Sequence, residues 1–181
     1  MRRPIFLGLL CLATAAMPAH SAENLACLTG AVDRKLSAEV FKAYRAEKDI
    51  GEALMARMGD KAAACAAAND WSAEALESAF RVLFGQILAR GTQAELRSFR
   101  IDRNALQVST EKYLASLSYE KYRQFVDGEL SDDAGEDIVK QLVGDEVVRL
   151  SQIDEKLGNL IGEYAAGHAN EMFFAAEFSR Q

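Results

Sequence analysis

Apolar residues recur every three to four positions along most of the chain, and the clearest run is Trp71–Gly91. Leu76, Phe80, Leu83, Phe84 and Ile87 follow the 3.6-residue period and share one helical face. Val82 and Leu88 widen that face, the pattern of a helix central to a bundle rather than on its rim. Ser72 is placed to cap the first turn, with Trp71 and Leu76 at the two positions of a hydrophobic staple. Arg90 in the last turn and Gly91 just after it predict where the helix stops.

The same grammar punctuates the rest of the chain. Residues 24–35 predict a short helix carrying Cys27, with Leu25, Leu28 and Val32 inward. Ser37 is the expected cap of the next helix, with Leu36 stapled to Phe41 and a face of Val40, Phe41 and Tyr44. Asp49, with Glu52 three residues on, predicts another start, and Ile50, Leu54, Met58, Ala62 and Cys65 form its stripe. Thr92 to Glu95 fits a capping box ahead of Leu96, Phe99 and Leu106. Two pieces follow, Val108–Leu117 and Ser118–Val126, with apolar faces that include Tyr113, Leu114, Tyr122 and Phe125.

From Ala134 the period runs through Ile138, Leu142, Val147, Leu150, Ile153, Leu157, Leu160, Ile161, Tyr164, His168 and Met172. Residues 134–176 are therefore one long helix, or two if Leu150-Ser151 opens a second. Gly158, Gly162 and Ala166 share one side and predict a close helix crossing, within the fold or across a homodimer. No alternating strand pattern of useful length occurs, proline is limited to two residues, and half the chain is hydrophobic. The expected fold is all-α: a single-domain bundle of about five to seven helices over residues 23–181, with a long C-terminal helix and one disulfide.

The start of the chain changes the picture. Arg2 and Arg3 precede an apolar run, Ile5–Met17, too short for a comfortable membrane span, and Pro18 breaks it. Residues 1–22 read as a cleaved secretory signal of the bacterial Sec type, cut after Ser21 or after Ala22, and the address is periplasmic or secreted. Cys11 and Cys27 lack the preceding residues that lipidation needs, and no later stretch predicts a transmembrane segment. Arg2 and Arg3 leave with the signal and no acid does, so 21 basic against 27 acidic side chains (net −6) become 19 against 27, about −8. That balance argues against nucleic acid and anionic lipid as partners. Cys11 is lost too, and in an oxidising compartment Cys27 and Cys65 are expected to pair, closing a loop worth about 4 kcal/mol in the chain-entropy model.

Catalytic signals are weak. His168 is the one histidine beyond the signal and sits on an apolar stripe, where a core or interface role is expected. With Glu171 one turn away it makes a weak metal pair, but a di-iron bundle needs a second Glu-x-x-His unit. A haem held by Met55 or Met58 with His168 lacks the Cys-x-x-Cys-His attachment motif, so no cofactor is expected. Ser118-x-x-Lys121 matches the Ser-x-x-Lys nucleophile motif without its companion motifs, and Ser118 already serves as a cap.

Two surface features carry more. Residues 127–137 concentrate Asp127, Glu129, Asp132, Asp133, Glu136 and Asp137. As an EF-hand loop this segment fails, with Asp132 where glycine belongs and Ile138 where glutamate belongs. Phe173, Phe174 and Phe178 crowd the C-terminal end and either dock on a partner, touch a membrane or, most commonly, fold back on the bundle. Arg97, Arg100 and Arg103 lie three apart as an anion strip, or as a solvated face paired with Glu95 and Asp102.

The expected function is a noncatalytic exported protein that acts through an unknown protein partner, using the acidic segment and the aromatic tail. The alternative is a small-ligand or metal-ion carrier using the bundle core or residues 127–137, and a hydrolase-type enzyme is third. The disulfide is directly testable: alkylation of the mature protein without reductant should leave its intact mass unchanged, and labelling of both cysteines would reject the pairing.

Overall fold

The structure is a computed structural model that describes residues 22–127 and 132–181. Eight α-helices lie within them: α1 (Ala22–Thr29), α2 (Arg34–Arg45), α3 (Ile50–Asn69), α4 (Ala73–Leu96), α5 (Arg103–Ser116), α6 (Tyr119–Asp127), α7 (Asp132–Gly144) and α8 (Glu155–Phe178). The all-α class and the single disulfide stand, with the expected long C-terminal helix present as α8. None of these helices is long and apolar enough to cross a membrane.

Helices α4 and α8, 24 residues each and so about 36 Å long, cross at the centre. The crossing is backbone on backbone. A Cβ on Gly85 would lie 2.6 Å from the Glu171 amide and 2.7 Å from the Gly167 carbonyl oxygen. One on Gly167 would lie 2.7 Å from the Ala89 amide nitrogen. Gly158 and Gly162, expected at a crossing, have nothing within 4 Å of where a Cβ would stand, so they form no close contact inside the fold. The period placed them on one side of α8 correctly, but the neighbouring helix approaches the other side, at Gly167.

Two apolar clusters flank this crossing. One gathers Leu106, Leu114, Phe125, Ile138, Leu142, Leu157, Ile161 and Tyr164 from α5 to α8. The other gathers Leu28, Val40, Leu54, Met58, Leu83 and Ile87 from α1 to α4, with Phe178 reaching in from the end of α8. Cys27 bonds Cys65 with Cα atoms 5.9 Å apart, which fastens α1 to α3 beside the second cluster.

Several boundaries differ from expectation. The Ser72 and Asp49 caps are present, accepting from the Ala75 and Glu52 amides. Helix α2 is capped by Asp33 rather than Ser37, because the Asp33 carboxylate accepts from the Leu36 amide at 2.7 Å. Helix α4 does not stop at Gly91. It continues to Leu96, with Thr92 fully buried on it instead of capping a new helix. A 3-10 turn at Arg97–Phe99 and a left-handed Arg100 (φ 59°) end it, and Asp102 caps α5. The long segment from 134 is two helices. Helix α7 closes at Gly144, Glu146 turns left-handed (φ 58°), and α8 begins only after Asp154, whose carboxylate accepts from Leu157.

The crossing makes a paired prediction. Gly85→Ala and Gly167→Ala should each destabilise the fold by about 2–3 kcal/mol, because the added methyl meets backbone that cannot swing away. Gly158→Ala and Gly162→Ala should stabilise it by about 0.5–1 kcal/mol through helix propensity. Urea unfolding of the four variants checks both signs, and a destabilised Gly158 or Gly162 variant would mean that side of α8 is covered.

Candidate functional site

One face of α2 presents Arg34, Ser37, Ala38, Phe41, Lys42 and Arg45, spaced at threes and fours. It lies across from Arg90, Gly91, Ala94 and Glu95 on α4, and with Val32 and Asp33 they line an open groove of about 660 Å³. Its floor depends on a glycine. A Cβ at Gly91 would fall 2.2 Å from the Phe41 ring, so only glycine lets that ring lie down on α4. The residue that resembled a helix stop is an aromatic seat in mid-helix.

One end of the groove is closed by Arg45. Its guanidinium donates to Glu95 (2.7 and 3.2 Å) and to Glu163 of α8 (2.6 and 2.7 Å). It also lies 4.9 Å from the Phe41 ring centre and 5.4 Å from that of Tyr44. The Tyr44 hydroxyl donates to Glu163 at 3.3 Å, and its pKa is raised by burial first and by the Glu163 charge second. The hydrogen bond to Glu163 is the first cause raising the Arg45 pKa above its ordinary value, with burial opposing it and Glu95 adding to it. This cluster joins α2, α4 and α8.

The charges lining the groove divide sharply. The acids are engaged: Asp33 caps α2 and Glu95 holds Arg45. Arg34, Lys42 and Arg90 are exposed and have no ion pair or side-chain hydrogen bond among the described residues. An acidic chain thus carries a groove with an apolar floor and an unpaired cationic rim.

Two other recesses differ in chemistry. Ile50, Leu54, Met55, Phe80 and Phe84 line an apolar hollow of about 460 Å³ between α3 and α4, with Glu77 and Arg81 at its edge. A polar hollow of about 770 Å³ contains Ser118, Lys121, Asp137, Lys140 and Asp145. There the Ser118 hydroxyl accepts from the Lys121 amide at 3.4 Å, the capping role. Asp145 accepts from Lys112, Ser109 and Gln141, which hold its carboxyl down at about 2, Lys112 most strongly. These bonds tie α5 to the end of α7.

The residues singled out in the sequence are dispersed. Phe178 is fully buried, 5.1 Å from Trp71 in an edge-on contact, and Phe173 is buried against Tyr119 and Tyr122. Phe174 is partly buried, with the Arg81 guanidinium 5.4 Å from its ring centre. The aromatic tail is the last part of α8, with Phe173 in one apolar cluster and Phe178 in the other, so both belong to the core rather than to a docking surface. In the acidic segment, Asp127 pairs with Arg123, while Glu136 and Asp137 pair with Lys140. Asp133 is exposed, Asp132 opens α7, and Glu129 lies outside the described residues. No group of three metal-ligating side chains occurs among the described residues.

Arg97, Arg100 and Arg103 fall on a 3-10 turn, a left-handed linker residue and the first residue of α5, so they do not share one helical face. The expected pairing with Glu95 is absent, since Glu95 binds Arg45. His168 lies against Tyr164 at 4.6 Å between ring centres, and the Glu171 carboxylate accepts from Gln86 at 3.0 Å. The groove residues Arg34, Phe41, Lys42 and Arg90 were not anticipated as a site. Their signal was present as the Arg34–Arg45 stripe, but only the partner glycine 50 residues on turns it into a groove. Comparison with protein-family models, curated proteins and solved structures finds no match to this chain.

His168 supplies a pH prediction. Burial lowers its pKa, and the Glu171 and Glu111 charges only partly oppose that. The unfolded chain therefore binds the proton more readily, so stability is full above the unfolded value of about 6.5 and declines as pH falls through it. Urea unfolding at pH 7.5 and pH 5.5 should show a smaller acid loss for His168→Gln than for the native chain. Equal losses would mean that the imidazole is as free to protonate in the fold as outside it.

Proposed function

We propose that the chain is an exported, noncatalytic binding protein that holds a protein partner in the groove between α2 and α4. The observation that carries this reading is the set Arg34, Lys42 and Arg90, three cations without a partner among the described residues, around the Phe41–Gly91 floor. Buried apolar surface flanked by unpaired charge is how interfaces combine affinity with orientation. Export is supported by the residue 1–22 signal pattern, of which 1–21 lie outside the described residues, and by the Cys27–Cys65 bond, which suits an oxidising compartment.

A second reading is carriage of a small apolar ligand. Its support is the α3–α4 hollow, where exposed Met55 (55%) and the Phe80 and Phe84 rings line a volume within the range of small-molecule pockets. The metal form of this reading and the hydrolase reading have no comparable support: Ser118 serves as a helix cap.

Site-specific photocrosslinking in the native cell tests the proposal. A benzoylphenylalanine at exposed Lys35 on α2, beside Arg34 and outside the groove lining, should yield a discrete protein adduct, whereas one at exposed Ala67 on α3 should not. Absence of an adduct at Lys35, or the same adducts at both positions, would overturn it. Native mass spectrometry showing a stoichiometric small molecule would favour the carrier instead.

A further inference from the structure

The α2–α4 groove has more specific chemistry than a general docking surface. Arg34 and Lys42 are eight residues apart on α2, which separates them by about 12 Å along the axis. Arg90 faces them from α4. The two lining acids bond to the Leu36 amide and to Arg45, and among the described residues no ion pair reaches Arg34, Lys42 or Arg90. Between them lie the Phe41 ring and the small residues Ala38, Gly91 and Ala94, which leave room for an incoming apolar side chain.

Charges spread over that length do not suit a single headgroup, which would reach one or two of them. They suit a chain that presents carboxylates at intervals. A helix repeats one face every seven to eight residues, about 10.5–12 Å, close to the Arg34–Lys42 spacing. An anionic membrane surface fits poorly: the apolar floor is recessed between two helices, and a chain of net charge −6 is repelled by anionic lipid.

We infer that the groove receives an acidic amphipathic helix of a partner protein, lying along α2 with carboxylates on Arg34, Lys42 and Arg90 and apolar side chains on Phe41. This rests on the binding reading above and names the partner's chemistry. Phe41 supplies apolar contact area, and the three cations set orientation and register. Such a complex weakens as salt screens the rim charges.

The test uses the mature, oxidised protein and a fluorescent 18-residue helical peptide with leucines on one face and glutamates flanking them. The peptide should bind, with affinity that falls as salt rises. Its all-glutamine counterpart should bind roughly tenfold more weakly, a difference of about 1.4 kcal/mol. The triple variant Arg34→Glu, Lys42→Glu, Arg90→Glu should lose at least that much. Ala38→Trp, which fills the groove and leaves its charge intact, should also abolish binding, and circular dichroism of both variants should match the native spectrum. Should the triple variant misfold, Ala38→Trp together with the salt and glutamine series still decides.

Equal binding of the glutamine peptide, unchanged binding by a folded triple variant or Ala38→Trp, or displacement of the peptide by equimolar laurate would each overturn the inference. No binding of the glutamate peptide would do so as well. If that occurs while the Lys35 crosslink persists, the acidic-helix assignment fails alone; if the crosslink is also missing, the binding reading fails with it.

Discussion

The fold depends on how closely two helices can approach. At Gly85 and Gly167 the backbones of α4 and α8 touch, and no side chain fits between them. That contact brings Gln93 to the Tyr164 hydroxyl (3.4 Å) and Gln86 to Glu171 (3.0 Å), which set the register of the pair. It also gives each helix two usable sides. Helices α5 to α7 pack on one side and α1 to α3 on the other, and the two apolar clusters meet the same central pair.

The groove is a consequence of that arrangement. Helix α2 buries only Val40 deeply, so it lies on the rim and needs other anchors. Phe41 on Gly91 is one, and Arg45 between Glu95 and Glu163 is another. These exposed or half-exposed ion pairs contribute modestly one by one. Their effect here is positional: they engage Glu95 beside the groove, and no ion pair among the described residues reaches Arg34, Lys42 or Arg90. The disulfide acts on the same half of the molecule, since it fastens α1 to α3, and α1 leads directly into the loop that starts α2.

Helix starts were legible at Ser72, Asp49 and Ser118, but α2, α5 and α8 start elsewhere than expected, capped by Asp33, Asp102 and Asp154. Ser72 and Asp49 cap through side chains whose chemistry is local, so residue type suffices to find them. The stops use Glu47, Asp70, Arg100 and Glu146 in the left-handed conformation, each without glycine and so without a compositional mark. Such residues cost roughly 1–2 kcal/mol more there than glycine would, offset by packing of the flanking helices and by their own amides bonding back to the last turn. Gly91, the glycine that did invite a stop, is needed for an aromatic ring from another helix. The candidate site followed the same division. Arg34, Phe41 and Lys42 lie at helical spacing with nothing in the sequence to join them to Arg90, whereas Asp127, Glu136 and Asp137 proved locally paired and Phe173 and Phe178 buried.

The sequence by itself determined the all-α class, the apolar face of each main helix, the Ser72 and Asp49 caps, and the pairing of Cys27 with Cys65. All four rest on local periodicity, on the hydrogen-bonding chemistry of one side chain, or, for the disulfide, on the expected loss of Cys11 with the signal. Tertiary structure alone decided which small residues make the close crossing, where α7 gives way to α8, and which charges remain unpaired. Those outcomes depend on distances between segments far apart in the chain. Gly158 and Gly167 look alike in sequence, and the position of α4 is what makes one indispensable and leaves the other open.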